Sequence, residues 1–93
     1  MDGGIMFDSP VRQWNSSKPG GLAVVDIPAD LVNALGGRRQ MRVAGMLAGH
    51  PFTGSTMLVT GGGLCVGVSK AALSAAGIAV GDKVEVRLRR AAP

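Results

Sequence analysis

Apolar and polar side chains alternate or cluster in six short segments, a pattern that predicts a mainly β protein. The clearest alternation lies in 83–89, where valines and a leucine alternate with charged residues. The short apolar runs in 21–27 and 64–68 are typical of buried strands. The pattern predicts strands over 5–14, 21–27, 40–47, 51–59, 64–68 and 83–89.

Two segments with helical spacing lie between these strands. Leu31 and Leu35 fall on one face of a helix predicted over 29–35, with Pro28 at its first position and glycines after its end. Ser69 is a suitable N-cap for a second helix over 70–76, which ends at Gly77. Both helices are short, so strands dominate the predicted fold.

The order strand, short helix, strand occurs twice along the chain. The repeat aligns Leu22 with Leu64, and in both copies a short helix then leads into an alternating strand. Two such units can bury each other's apolar faces, and closing the sheet removes exposed strand edges. We therefore predict an α+β protein, mainly β, with about six strands in a small closed or partly closed barrel that two short helices cap, and an internal pseudo-repeat. The barrel domain is expected over 5–90, with a flexible N-terminus at 1–4 and a tail at 91–93.

Composition narrows the function classes. The chain has 93 residues, of which 46% are hydrophobic, and one domain of this size is expected. No transmembrane segment or signal peptide is evident, so we expect a cytoplasmic protein without membrane contact. Cys65 and His50 are the only residues of their types, which excludes a disulfide within the chain and a Cys/His zinc site. We expect neither a metal nor a cofactor.

The net charge of +4 is concentrated in two arginine clusters. One cluster contains Arg38, Arg39 and Arg42, and the other contains Arg87, Arg89 and Arg90, of which Arg87 and Arg89 share the outward face of the last strand. If both faced one side of the barrel, they would form a surface that binds nucleic acid or another anion. The alternative is that these arginines only solvate the surface.

Trp14 is the one aromatic residue with a polar, basic neighbourhood in the sequence. It could stack on a ligand or a base. The alternative, which we favour from the sequence, is that Trp14 plugs one end of the barrel.

Other chemically active side chains have simpler structural interpretations. The glycines at 61–63 suit a turn better than a phosphate loop, and His50 suits a turn better than a general base. Cys65, in an apolar strand, is expected to be a buried thiol rather than a nucleophile. Asp26 and Asp30 flank a predicted helix start, where carboxylates favour the helix dipole.

Four motifs carry a resemblance to a known family. They lie at 24–31, 41–52, 55–71 and 76–88, and the last is the most specific. Through these motifs most of the chain resembles a bacterial family of domains of unknown function, the family numbered 1905. This resemblance implies a double-split β-barrel similar to those of AbrB-type transcription factors, in which arginines on strands and adjoining loops contact DNA. It implies no catalytic residues.

Three functions remain open from the sequence. The first is a binding module, without enzymatic activity, for a partner protein or a small ligand. The second is DNA binding through the arginine clusters, and the third is a small enzyme with a pocket at the barrel mouth. The scarcity of acid–base and nucleophilic groups favours the first over the third. The sequence leaves both a monomer and a homodimer open.

Overall fold

The computed structural model describes residues 4–14 and 22–91. Residues 1–3 of the predicted N-terminal segment 1–4 and residues 92–93 of the predicted tail 91–93 lie outside these ranges. In the described residues six strands and two helices are present: β1 (Ile5–Gln13), β2 (Ala23–Ile27), α1 (Ala29–Leu35), β3 (Arg42–Leu47), β4 (His50–Val59), β5 (Gly63–Val68), α2 (Lys70–Ala76) and β6 (Lys83–Arg90).

The six strands form a closed barrel in which every neighbouring pair is antiparallel. The order around the barrel is β1–β2–β5–β4–β3–β6, and β6 pairs again with β1. This architecture confirms the predicted mainly β class, the strand number and the two short helices. Since each strand has two neighbours, none of the six presents a free edge to another chain.

The barrel interior is filled by side chains from alternating strand positions. These side chains come from all six strands, and the partly buried Leu31 of α1 and Leu73 of α2 pack against them. A barrel of this size is just wide enough for side chains to fill it. The largest fully buried hydrophobic side chains that point inward are Val11, Val25, Val43, Leu47, Leu64, Val66, Val68, Val86 and Leu88.

Two halves of the barrel are related by a pseudo-two-fold axis. Val25 of β2 lies directly opposite Val66 of β5, and the two residues occupy equivalent positions in the halves. Each half has the order strand, strand, helix, strand, so that β1–β2–α1–β3 corresponds to β4–β5–α2–β6. Phe7 of β1 and Phe52 of β4 are equivalent by register, and both are buried. The repeat therefore contains one strand more than the sequence pattern indicated.

The predicted alignment of the two halves is wrong by one residue. Leu22 was aligned with Leu64, but Leu22 is 43% exposed and Leu64 is 1% exposed. The residue equivalent to Leu64 is Ala23, which is buried at the start of β2. A shift of one residue moves every side chain of a strand to the opposite face of the sheet. Burial, rather than similarity of residue types, therefore decides the alignment.

Both helices have the predicted bounds. The Ser69 hydroxyl accepts a hydrogen bond of 3.1 Å from the backbone N–H of Ala72, and Gly77 ends α2 in the left-handed conformation. Pro28 is the N-cap of α1 rather than its first helical residue, because its ψ of 137° is not helical. Neither helix in the described residues is long and apolar enough to cross a membrane.

Glycines permit two close contacts between neighbouring strands. A Cβ at Gly54 of β4 would lie 2.7 Å from the carbonyl oxygen of Gly67 of β5, so the two backbones approach each other closely there. At Gly45 the contact is tighter, since a Cβ would lie 1.7 Å from the carbonyl oxygen of Arg87. Strands β3 and β6 are therefore pressed together at Gly45, beneath the outer surface described next.

Candidate basic site

Three arginines from both sequence clusters share the outer face of β3 and β6. Arg87 lies opposite Met46, and Arg89 lies opposite Ala44. Arg42 is two residues before Ala44 on β3, which makes it a diagonal neighbour of Arg89. Side chains in this relation are within reach of one another when they are long. The fold thus brings Arg42 and Arg89 together on one surface, although they are far apart in the sequence.

The loop between α1 and β3 adds further arginines to the same end of the barrel. Thr56 of β4, which is 1% exposed, donates a hydrogen bond of 2.7 Å to the carbonyl oxygen of Arg39. The same hydroxyl accepts a hydrogen bond of 2.9 Å from the backbone N–H of Met41. A side chain at Gly36 would lie 2.8 Å from Cδ of Arg90, so the loop also packs beside the end of β6. We call this group the basic end: Arg38, Arg39, Arg42, Arg89 and Arg90.

The basic end contains no ion pair within the part of the chain that the structure describes. In the described residues, the two ion pairs join Arg12 to Asp26 and Arg87 to Glu85, and neither includes an arginine of the basic end. The Arg87 pair is exposed, with 3.2 Å between Nε and Oε1, so it is weak. The charges of the basic end are therefore available to an anion.

The arginine cluster lies at one end of the pseudo-symmetric barrel and has no equivalent cluster at the other. Positions equivalent to Arg38, Arg39 and Arg42 are occupied by Ala79, Val80 and Lys83. Only one of these three is a cation. The two ends therefore differ in charge although their backbones correspond.

Two adjoining grooves lie on the outer face formed by β1, β6, β3 and β4. Their volumes are about 350 and 490 Å³. Both are lined by Gly45, Met46 and Arg89. Met6, which is 58% exposed, forms a wall of the smaller groove, and Pro51 lines the larger one. The surface beside the arginines is thus concave and partly apolar.

Trp14 lies away from the basic end. It follows β1, and its backbone N–H donates a hydrogen bond of 2.8 Å to the carbonyl oxygen of Leu22. Its side chain is 41% exposed and lines a groove of about 480 Å³ with Val80 and Gly81. The interpretation that Trp14 plugs the barrel is wrong, because the hydrophobic core consists of other residues. Ligand stacking on Trp14 stays a prediction.

The Cys65 thiol is fully buried, as the sequence predicted. Burial, together with the nearby carboxylate of Asp26, raises the pKa of Cys65 from 9.0 to about 11, whereas the charge of Arg12 lowers it. A thiol with a raised pKa is a poor nucleophile at neutral pH.

Asp26 does not lie at a helix start, which corrects the interpretation from the sequence. It lies in β2 and accepts hydrogen bonds of 2.6 and 2.8 Å from Nε and Nη2 of Arg12, which raise the pKa of Arg12.

The family model described as domain of unknown function (DUF1905) matches residues 7–88. The chain belongs to the DUF1905 family. The match spans most of the barrel, including both helices. Comparison with curated proteins gives no match.

The remaining polar candidates of this DUF1905 domain have structural roles. Gly61 and Gly62 both have positive φ, and the N–H of Gly62 donates a hydrogen bond of 3.0 Å to the carbonyl oxygen of Val59. Residues 60–62 therefore form a turn. His50 is exposed at the first position of β4, where Nδ1 lies 3.2 Å from the carbonyl oxygen of Ala48. Within residues 4–14 and 22–91, no three His, Cys, Asp or Glu side chains are grouped as metal ligands.

Two residues that shape the basic site of the DUF1905 domain were not predicted from the sequence. They are Thr56, which holds the arginine loop, and Gly45, which allows the contact of β3 with β6. A signal for Thr56 was present. Thr56 of β4 and Val11 of β1 occupy equivalent inward positions in the two halves. Thr56 places a hydroxyl where β1 has an apolar side chain, and a buried hydroxyl requires a partner.

Proposed function

We propose that this DUF1905 domain is a binding module that holds DNA by its phosphate backbone through the basic end. The observation that carries the proposal is the group of arginines without acidic partners at one end of the barrel. Arginine suits this role, because its planar guanidinium can donate two parallel hydrogen bonds to one phosphate. Of the three functions that the sequence left open, the proposal takes the second, DNA binding through the arginine clusters.

The fold supports the proposal by holding the arginines on rigid elements. Arg42 and Arg89 lie on paired strands of a closed barrel, and Thr56 fastens the backbone at Arg39. Little backbone ordering is then required on binding, which favours affinity.

The asymmetry of charge favours backbone binding over symmetric recognition of bases. A two-fold symmetric reader places equivalent side chains on both half-sites of the DNA. Here the positions equivalent to Arg38 and Arg39 hold Ala79 and Val80. The barrel would therefore contact one stretch of phosphates from one end, with little dependence on base sequence.

Fluorescence anisotropy with a labelled DNA duplex of random sequence tests the proposal. Counterion release predicts that the affinity falls as salt rises, by about 100-fold between 50 and 200 mM salt for about four phosphate contacts. Absence of binding at about 50 mM salt, or binding that salt does not change, would overturn the proposal.

A matched pair of variants tests the place of binding. Arg42 and Lys83 occupy equivalent positions in the two halves, so Arg42→Gln and Lys83→Gln remove the same charge from opposite ends. We expect Arg42→Gln to reduce the salt slope by about one unit and Lys83→Gln to leave it unchanged. Equal effects of the two substitutions would contradict binding at the basic end.

A further inference from the structure

The two grooves on the outer face of β1, β6, β3 and β4 have the composition of a small-molecule site. We propose that they bind a small amphipathic anion, with an aromatic or aliphatic body and one carboxylate. This inference goes beyond DNA binding and does not depend on it. It rests on the floor of the grooves, their walls and their charge.

Closely packed backbone forms the floor of the grooves. Gly45 lines both of them and lies opposite Leu88 of β6. A Cβ at Gly45 would lie 1.7 Å from the carbonyl oxygen of Arg87, so no other residue fits there without movement of the backbone. The floor therefore consists of closely packed backbone of paired strands, and a ligand would find it already formed.

Flexible apolar side chains form the walls. Met6 and Met46 lie on either side of Arg87 in one row across β1, β6 and β3. Methionine adapts to irregular shapes and makes favourable contacts with aromatic rings. Met6 is 58% exposed, so a ligand that covered it would remove apolar surface from water.

Charge selects the kind of ligand. Arg89 lines both grooves and has no acidic partner in the described part of the chain, and the acidic partner of Arg87 is exposed. Each groove is open to solvent and has a volume of about 350 or 490 Å³, which leaves space for a small ligand. A ligand that places its carboxylate at Arg89 and its apolar body between Met6 and Met46 would match both the charge and the apolar walls.

Titration of the isotope-labelled protein followed by NMR tests this site without DNA. The probes are naphthalene-2-carboxylate and its neutral counterpart, naphthalene-2-carboxamide. We expect saturable shifts at the amides of Gly45, Met46 and Arg89, with a Kd of about 1 mM or below for the carboxylate. The carboxamide should bind about tenfold more weakly, because it loses the charged hydrogen bond to arginine.

Two exposed residues of β6 supply the variant and its control. Arg89→Gln should abolish the preference for the carboxylate, whereas Lys83→Gln at the other end of β6 should preserve it. The inference is overturned if the shifts do not saturate, if they centre on the Trp14 groove or α2, or if both probes bind equally. Because these probes contain no phosphate, a failure of DNA binding and a failure of the groove site are separate results.

Discussion

The Thr56 hydroxyl lies 2.7 Å from the carbonyl oxygen of Arg39, and this hydrogen bond joins the middle of the barrel wall to the arginine loop. The Thr56 hydroxyl also accepts a hydrogen bond from the N–H of Met41. One buried side chain therefore satisfies two backbone groups of a segment without regular structure. Since buried polar groups need partners, the loop conformation depends on Thr56.

The Thr56→Val substitution should destabilise the protein by about 1–3 kcal/mol, because it leaves two backbone groups without a partner. Valine fits the space, as the equivalent Val11 in β1 indicates. Amide exchange at Met41 should become faster, since its N–H loses its acceptor. Denaturant unfolding and hydrogen exchange measure the two effects.

Thr53→Val on the exposed face of the same strand is the control. It should change the free energy of unfolding by less than about 0.5 kcal/mol. If Thr53→Val and Thr56→Val had equal effects, the Thr56 hydroxyl would not hold the loop.

Strand and helix positions could be predicted because they depend on local patterns. The alternation from Lys83 onward and the caps Ser69 and Gly77 are visible within a few residues. The pairing of Thr56 with Arg39 and the contact of Gly45 with Arg87 depend on which strands become neighbours. The order of strands around the barrel is a property of the whole fold, so local periodicity does not predict it.

The basic site likewise combines features that local sequence predicts with features that depend on strand pairing. The sequence identified both clusters but could not place them relative to each other, since Arg42 and Arg89 meet only because β3 pairs with β6. Trp14 was misplaced for a related reason. A bulky aromatic residue in a small protein is more often buried, and only the register of β1 shows that it lies beyond the strand end.

Gly45→Ala should destabilise the protein by at least about 3 kcal/mol, because overpacking against backbone cannot be relieved by a side-chain rotation. The added Cβ would lie 1.7 Å from the carbonyl oxygen of Arg87. Gly63→Ala is the matched strand control, since its Cβ would lie 3.5 Å from Cβ of Val59. Thermal and chemical unfolding should show a small change for Gly63→Ala, and similar losses for both variants would refute the close contact.

Protein stability should fall between pH 9 and pH 11 because of Cys65. Folding raises the pKa of this thiol from 9.0 to about 11, so the folded state holds the proton more tightly over this range. The contribution is complete below pH 9 and is lost as the pH rises to 11, by about 2–3 kcal/mol in all.

Unfolding of the wild type and of Cys65→Ala across this pH range measures the Cys65 contribution as a difference. The difference in free energy of unfolding should shift in favour of Cys65→Ala as the pH rises. Asp26→Asn should shift the transition to lower pH, because the Asp26 charge helps to raise the pKa of Cys65. A constant difference between wild type and Cys65→Ala would show that the thiol does not titrate in this way.

The turn between β3 and β4 offers a stabilising substitution. Ala48 has a φ of 50° and Gly49 a φ of 83°, so both residues of this two-residue turn are left-handed. Asparagine followed by glycine is the preferred pair in such hairpins, whereas alanine is strained by its Cβ. Ala48→Asn should therefore raise stability by about 0.5–1 kcal/mol, which corresponds to a few degrees in Tm. Ala48→Val puts a β-branched side chain into the same conformation and should lower the stability. Calorimetry measures both changes in Tm. If the two variants shifted Tm in the same direction, backbone strain at Ala48 would be excluded as the cause.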